Sequence, residues 1–263
     1  MKKAGSLLPP RATPLQPRRR ALLIGASSGI GAALAKRLAR EGYILGLVAR
    51  REKLLSALCE EINAACGETR AIWYTHDVTE YDAVPGLLQK ALAELGGLDL
   101  VVYCAGVALP GGFKHYEFQK DLRTTEVNYL GALSWLDPVA TMFQSLGAGQ
   151  IVAVSSVGGD RGRVSNPAYQ ASKAALTSYL ESLRNRLTRR GVHVLTVKPG
   201  YVSTAMTAGQ KGLFWVVSAD QAAGDIWKAI RRRKQIVYVP ARWGLVMLVV
   251  RLIPSFIFRR MNF

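Results

Sequence analysis

Tyr169 and Lys173 stand four residues apart in a stretch of helical periodicity, so their side chains share one helix face. An ammonium beside a phenol favours the phenolate and brings its pKa toward a range useful for proton transfer. Thirteen residues upstream, Ser156 closes an apolar run, at the strand edge beyond which open α/β sheets hold their ligands. Many exposed helices carry a Tyr-x-x-x-Lys pair. Joined to Ser156 and to a glycine-rich turn early in the chain, this pair marks an acid–base site.

That turn reads Gly25-Ala26-Ser27-Ser28-Gly29-Ile30-Gly31, between an apolar run and a helical pattern. Glycines there let the backbone fold tightly and let a dinucleotide pyrophosphate approach the helix N-terminus. The spacing is GxxxGxG rather than GxGxxG. About twenty residues later the chain reads Leu47-Val48-Ala49-Arg50-Arg51, with no acid before Glu52. An acid in that place would bind an adenosine ribose and repel a 2′-phosphate; two guanidiniums favour the phosphate, so the expected cofactor is NADP(H). The plainer role for Arg50 and Arg51 is solvated charge at a helix start. Asp77, followed by Val78, is placed to bond an adenine edge or to cap a helix. Ala105-Gly106 gives either a close backbone approach to the cofactor or a simple turn.

These residues need a frame. Seven short aliphatic runs alternate with helical patterns: Ala21–Gly25, Tyr43–Val48, Ala71–Tyr74, Leu98–Cys104, Gln150–Ser155, His193–Val197 and Ile236–Val239. The intervening helices are expected over stretches such as Ile30–Glu41, Lys53–Ala65, Val84–Leu95, Thr125–Phe143 and Pro167–Arg190. Runs rich in Val, Ile and Leu, without polar alternation, suit strands covered on both faces. The expected fold is therefore α/β, a doubly wound, Rossmann-like parallel sheet of about seven strands with helices on both faces. No repeat or linker divides residues 21–240, which are read as one domain.

The chain has 263 residues, 49% of them hydrophobic and 20% charged, which excludes a disordered chain and a multi-span membrane protein. Three cysteines without a CxxC pair favour a reducing compartment, and a cytoplasmic location is expected. His76, His115 and His193 show no metal-ligand spacing, and no metal is expected. The formal charge of +17 is concentrated at the ends. Residues 1–20 hold six basic groups and no acid, and residues 231–263 hold eight and no acid. Residues 1–20, with four prolines, read as a flexible arm.

The end of the chain, 241–263, is apolar and basic, interrupted by Arg251 and Pro254. An uninterrupted membrane span needs about 20 predominantly apolar residues. Arg242–Phe263 instead reads as an interfacial element on an anionic membrane, on its inner face, with docking on its own domain or a second subunit as the alternative. Between the last motif and this tail, Ala205–Ser218 is an apolar segment suited to a lid over a hydrophobic ligand, or to ordinary core packing.

Taken together, these motifs make the chain resemble the short-chain dehydrogenase/reductase family over roughly Ala21–Ala205. The resemblance rests on the glycine turn, Asp77-Val78, Ala105-Gly106, Asn128 in Val127-Asn128-Tyr129-Leu130-Gly131, Ser155-Ser156, Tyr169-Gln170-Ala171-Ser172-Lys173 and Pro199-Gly200-Tyr201-Val202-Ser203-Thr204. It implies that Tyr169 protonates the alkoxide that forms as hydride arrives from the nicotinamide. It implies that Lys173 holds the nicotinamide ribose and lowers the tyrosine pKa. Ser156 would orient and polarise the carbonyl, with Ser155 as the alternate, and Asn128 would position a water in a proton relay. Pro199-Gly200 and Val202 to Thr204 would close over the nicotinamide.

Two positions depart from the family pattern. Ile24 stands where a threonine is usual, and Tyr103-Cys104 precedes Ala105-Gly106 where two asparagines are common. The segment Gly149–Phe263 is also similar to the subgroup that reduces a polyprenyl-phosphate-linked keto-pentose, through Ser165-Asn166, Val239-Pro240-Ala241 and Arg251–Arg259. The expected activity is NADP(H)-dependent reduction of a ketone or keto-sugar on an apolar or lipid-linked substrate. A non-catalytic NADP-binding sensor or scaffold is the alternative. Nucleic acid is not an expected partner, because the tail aromatics alternate with aliphatics rather than with basic residues.

Overall fold

Seven aliphatic runs form parallel strands: β1 Arg20–Ile24, β2 Ile44–Ala49, β3 Ala71–Thr75, β4 Leu100–Tyr103, β5 Gln150–Val154, β6 His193–Pro199 and β9 Ile236–Val239. Two-residue strands β7 (Val202–Ser203) and β8 (Val217–Ser218) pair with each other apart from the main sheet. The computed structural model describes residues 19–109, 116–210 and 212–261. Strand order is β3-β2-β1-β4-β5-β6-β9, so the direction of winding reverses between β1 and β4. At such a reversal, flanking connections leave in opposite directions and open a crevice beyond the strands' carboxyl ends.

Both faces of the sheet are covered, which is why the strands lack polar alternation. Ala21 and Leu23 pack toward α1 (Gly29–Arg40), α2 (Glu52–Cys66) and α7 (Ala219–Arg231). Leu22 and Ile24 point the other way, toward α3 (Val84–Leu95), α5 (Gly131–Leu146) and α6 (Pro167–Leu187). Ile24, at the position where a threonine is usual, is fully buried in this second layer.

The helix expected over Thr125–Phe143 is three elements. Helix α4 (Phe118–Thr125) runs into a π-helical turn, Glu126–Leu130, before α5 begins. A π turn keeps the side-chain pattern close to helical while widening the backbone, and such turns gather at functional sites. Here the turn carries Asn128 inward: its amide accepts from Val107 N–H at 2.8 Å and donates to Val107 O and Ser172 Oγ, both at 3.0 Å. Tyr103 donates its hydroxyl to Val127 O at 2.6 Å, bracing β4 against the same turn. The departure at position 103 thus supplies its own brace.

At the start of the described chain, Arg20 belongs to β1 rather than to an arm, and its backbone N–H donates to Asp99 at 2.7 Å. Residues 1–18 of the expected arm lie outside the described residues. The tail forms α8 (Trp243–Leu252) and α9 (Ser255–Phe258). Trp243, Met247 and Val250 bury themselves against Val157, Tyr201 and Tyr238, so the inner side of α8 docks on its own domain. Its other side exposes Leu245, Leu248, Val249 and Leu252. Among the described residues no helix is long and apolar enough to cross a membrane.

Candidate active site

The crevice at the β1/β4 reversal is a cleft of ≈ 240 Å³. Its floor is the glycine turn. Gly25 has φ +89°, a left-handed conformation that a side chain strains, and a Cβ there would lie 2.6 Å from Ala105 Cα. Gly31 is pressed against the Gly25 carbonyl in the same way. The turn therefore needs glycine at both places, and it seats the start of α1 directly beside Ala105-Gly106. Ser28 occupies the N-cap position of α1 with no side-chain capping bond, and the first turn holds no acid. Those N–H groups and the helix dipole form a cradle of the kind that accepts a phosphate.

Arg51 reaches over this cradle from the end of β2. Its Nε and Nη2 donate to Ser27 Oγ at 3.2 and 2.9 Å, and Nη2 donates to Ser28 Oγ at 2.5 Å. Arg50 also lines the cleft and lies 3.4 Å from Asp77. The Asp77 carboxylate, however, does not line it. One oxygen accepts from the Thr79 N–H and hydroxyl, and the other from Arg123 at 2.8 Å. Burial alone would raise this carboxyl, but the Thr79 bonds and the Arg123 charge outweigh it and bring it to about 2. Asp77 thus shapes its own turn, while Val78 lines the cleft.

The opposite wall carries the reacting residues. Ser156, Tyr169 and Lys173 all line the cleft, together with Ala105, Gly106, Pro199, Gly200, Val202 and Thr204. Helix α6 brings Tyr169 and Lys173 to one face, as their spacing predicts. Its start is held by Asn166, which takes a left-handed conformation and accepts from the Tyr169 N–H at 3.2 Å. Ser155 and Ser156 point apart. Ser155 Oγ donates to Lys173 O at 2.9 Å and meets Thr177 Oγ1 at 2.7 Å, so it fastens β5 to α6. Ser156 Oγ accepts from the Gly158 N–H at 3.0 Å and hydrogen-bonds the Tyr169 phenol. Asn128, behind the wall, is fully buried.

Lys173 Nζ donates to Val154 O at 2.9 Å, and a Cβ on Gly106 would sit 3.3 Å from it. Burial brings its pKa down to about 8, with Cys104 acting in the opposite sense. The Tyr169 phenol is raised, because burial outweighs the downward pull of the Ser156 hydrogen bond and of Arg163. Arg163 thus adds a cation to this wall, besides the lysine one helical turn beyond Tyr169. Sequence reasoning passed over Arg163, Met206 and Thr207, and gave no site role to Cys104 and His76, which with Met206 and Thr207 line the cleft. The Cys104 thiol is pushed up to about 12 by burial, which keeps it protonated and unreactive.

The segment after Ser156 is tied down on two sides. Asp160 makes a buried ion pair with Lys198 and accepts from Tyr238 Oη at 2.7 Å. Arg161 Nη1 donates to the carbonyls of Val250 at 2.6 Å and Ile253 at 2.5 Å, and its guanidinium lies 4.0 Å from the Phe258 ring. Phe214 and Trp215, in the segment read as a lid or as core, are about two-fifths exposed and pack around Trp243 with Tyr201. They are neither core nor free of the body.

With this geometry in place, comparison with known proteins is specific. A profile of the short chain dehydrogenase family matches residues 19–212. An uncharacterized oxidoreductase of Mycobacterium tuberculosis is 31% identical over 245 residues, covering 92% of this chain and 97% of that protein. The ketoacyl reductase HetN of Nostoc sp. is 33% identical over 204 residues, covering 77% of this chain and 69% of that one. Among solved structures, a short-chain dehydrogenase from Sphingobium yanoikuyae in complex with NADPH superposes with a TM-score of 0.78 at 28% identity, covering 90% of this chain and 97% of that one.

Proposed function

The chain belongs to the short chain dehydrogenase family, and on that footing we propose that it is an NADP(H)-dependent oxidoreductase reducing the carbonyl of an apolar or lipid-linked substrate. The observation that carries this reading is the convergence of Ser156, Tyr169 and Lys173 in one cleft with the glycine turn. When bound, a reduced nicotinamide dinucleotide supplies the hydride. The chain's residues fit such a group: the α1 cradle suits its pyrophosphate, and Arg51 over Ser27 and Ser28 suits a 2′-phosphate. NADPH in the Sphingobium yanoikuyae relative supports the same choice.

In this reading Ser156 donates to the substrate carbonyl oxygen and holds it beside Tyr169 Oη. Negative charge growing on that oxygen is met by the Tyr169 proton, and the phenol becomes phenolate. Lys173, buried and directed toward Gly106, holds the ribose next to the nicotinamide. Asn128, closed on Val107 and Ser172, fixes the wall behind it and serves the proton relay.

The substrate class and the membrane are argued from the tail. Leu245 and Leu252 are 71% and 75% exposed and Phe256 is 60% exposed, a face that water leaves uncovered, with Arg242, Arg251, Arg259 and Arg260 nearby in the chain. Apolar residues flanked by arginine suit an anionic lipid surface. A carbonyl presented on a polyprenyl phosphate would be delivered there, which is also where the similarity to the keto-pentose reductase subgroup points. We assign residues 21–240 to catalysis and 241–263 to this surface.

The assay is NADPH consumption with water-soluble ketones, long-chain ketones and a polyprenyl-phosphate-linked keto-sugar. Turnover is expected, with kcat/KM highest for the apolar substrates; no NADPH oxidation with any carbonyl would remove the reading. Co-sedimentation with anionic vesicles tests the tail separately. Arg259→Ala is expected to weaken vesicle binding by about 1 kcal/mol, roughly fivefold. A wild-type protein that stays in the supernatant would remove the membrane role and leave the chemistry standing.

A further inference from the structure

A phenol that gives up its proton inside a buried site must leave its negative charge beside something positive. Lys173 is one turn along α6, and its Nζ donates to Val154 O, on the Gly106 and Asn128 side of the cleft. The second cation stands on the other side, at Gly158. A Cβ built on Gly158 would lie 3.2 Å from Arg163 Nη2, 3.4 Å from Ser156 Oγ and 3.5 Å from Tyr169 Cε1, so all three groups meet around one point. Arg163 is held there by the residue that follows the tyrosine: its backbone N–H donates to Gln170 Oε1, and Gln170 Nε2 donates to Ser165 O. Gln170 is itself buried. The loop that carries the guanidinium is thus latched to the helix that carries the phenol.

We propose that Arg163 is a positioning residue for proton transfer, its guanidinium stabilising the phenolate that remains when Tyr169 has protonated the product alkoxide. The inference rests on the reductase reading. In that step the carbonyl carbon gains hydride from the reduced dinucleotide and its oxygen takes the Tyr169 proton. The O–H electron pair stays on Tyr169 Oη, and solvent later returns a proton.

Among the described residues, the charged and titratable groups around the phenol leave Arg163 as a second cation beside Lys173. Cys104, from the end of β4, is a neutral thiol. Asp160 is engaged by Lys198 and Tyr238. Arg161 is turned to the α8 carbonyls. Lys173 loses its charge as pH rises through about 8. A guanidinium offers a planar, delocalised cation with a fork of donors. Its pull on Tyr169 is downward, as is that of the Ser156 hydrogen bond, against the upward effect of burial.

Two readouts test this. The first is the pH dependence of kcat/KM for alcohol oxidation, the direction that needs phenolate and so rises as pH climbs through the Tyr169 pKa. Arg163→Met and Arg163→Gln are expected to move that limb upward by about one pH unit, which is about tenfold in rate at a fixed pH below it. Arg163→Lys is expected to restore most of the shift. A limb that stays in place in every variant belongs to another group. The second is ultraviolet difference titration of the phenol, needing no turnover, in wild type, Tyr169→Phe and Arg163→Met. The step absent from Tyr169→Phe should lie higher in Arg163→Met. Slower turnover with an unmoved limb and an unmoved titration step would overturn the proposal. Absence of wild-type turnover would overturn the reductase reading instead, with the titration still deciding whether Arg163 acts on the phenol.

Discussion

Tyr169→Phe is expected to lower kcat/KM for carbonyl reduction by roughly 10²–10⁴-fold, the contribution of a positioned general acid. The loss should fall on kcat. Phenylalanine keeps the ring in the cleft wall, and the Gly158 N–H still has Ser156 Oγ as its acceptor. The glycine turn and Arg51 lie on the other wall, so the dissociation constant for NADPH, read by fluorescence, should stay within a few-fold of wild type. The melting temperature should change little, because the ring is kept and only one hydroxyl is lost. Retention of full activity would remove Tyr169 as proton donor and, with it, the catalytic role of this wall.

Arg51→Ala is expected to reduce the preference for NADPH over NADH by roughly 10- to 100-fold. A hydrogen bond to a charged partner contributes about 1.5–3 kcal/mol, and Arg51 offers a fork of donors already aimed at Ser27 and Ser28. Its removal should raise KM for NADPH, leave kcat nearly intact, and change NADH kinetics little. Arg50→Ala should do less, since Arg50 is drawn toward Asp77. Equal losses with both dinucleotides would mean that Arg51 organises the serine turn rather than reading a phosphate. Measuring kcat/KM with each dinucleotide separates the two outcomes.

The sheet was legible because covered parallel strands are written as short aliphatic runs, and all seven runs are strands of one sheet. The spacing of Tyr169 and Lys173 was legible for the same kind of reason, a helix period. What stayed hidden has physical causes. The π turn at Glu126–Leu130 leaves no mark in a helical pattern, since its residues are ordinary helix formers and its extra residue shows only in backbone bonds. The division of labour between Ser155 and Ser156 depends on which adjacent hydroxyl meets α6, and alternation along β5 sends only Ser155 there. Asp77 was read as bonding an adenine edge or capping a helix, and the turn that places Thr79 and Arg123 against its two oxygens carries no periodic mark. Arg163 sits in a polar loop whose path no periodicity describes; only the fold brings it to Gly158. The tail divides: an inner stripe at Trp243, Met247 and Val250 docks on the domain, and an outer stripe stays exposed.

The grip of Arg161 on the carbonyl end of α8 couples the tail mechanically to the loop after Ser156. Shortening the protein before Trp243, or fusing a bulky tag that levers α8 away, would strip that guanidinium of its acceptors and slacken the backbone between Ser156 and Asn166. A truncated protein that binds dinucleotide but turns over poorly would then be reporting a loosened hydroxyl, not a missing lipid.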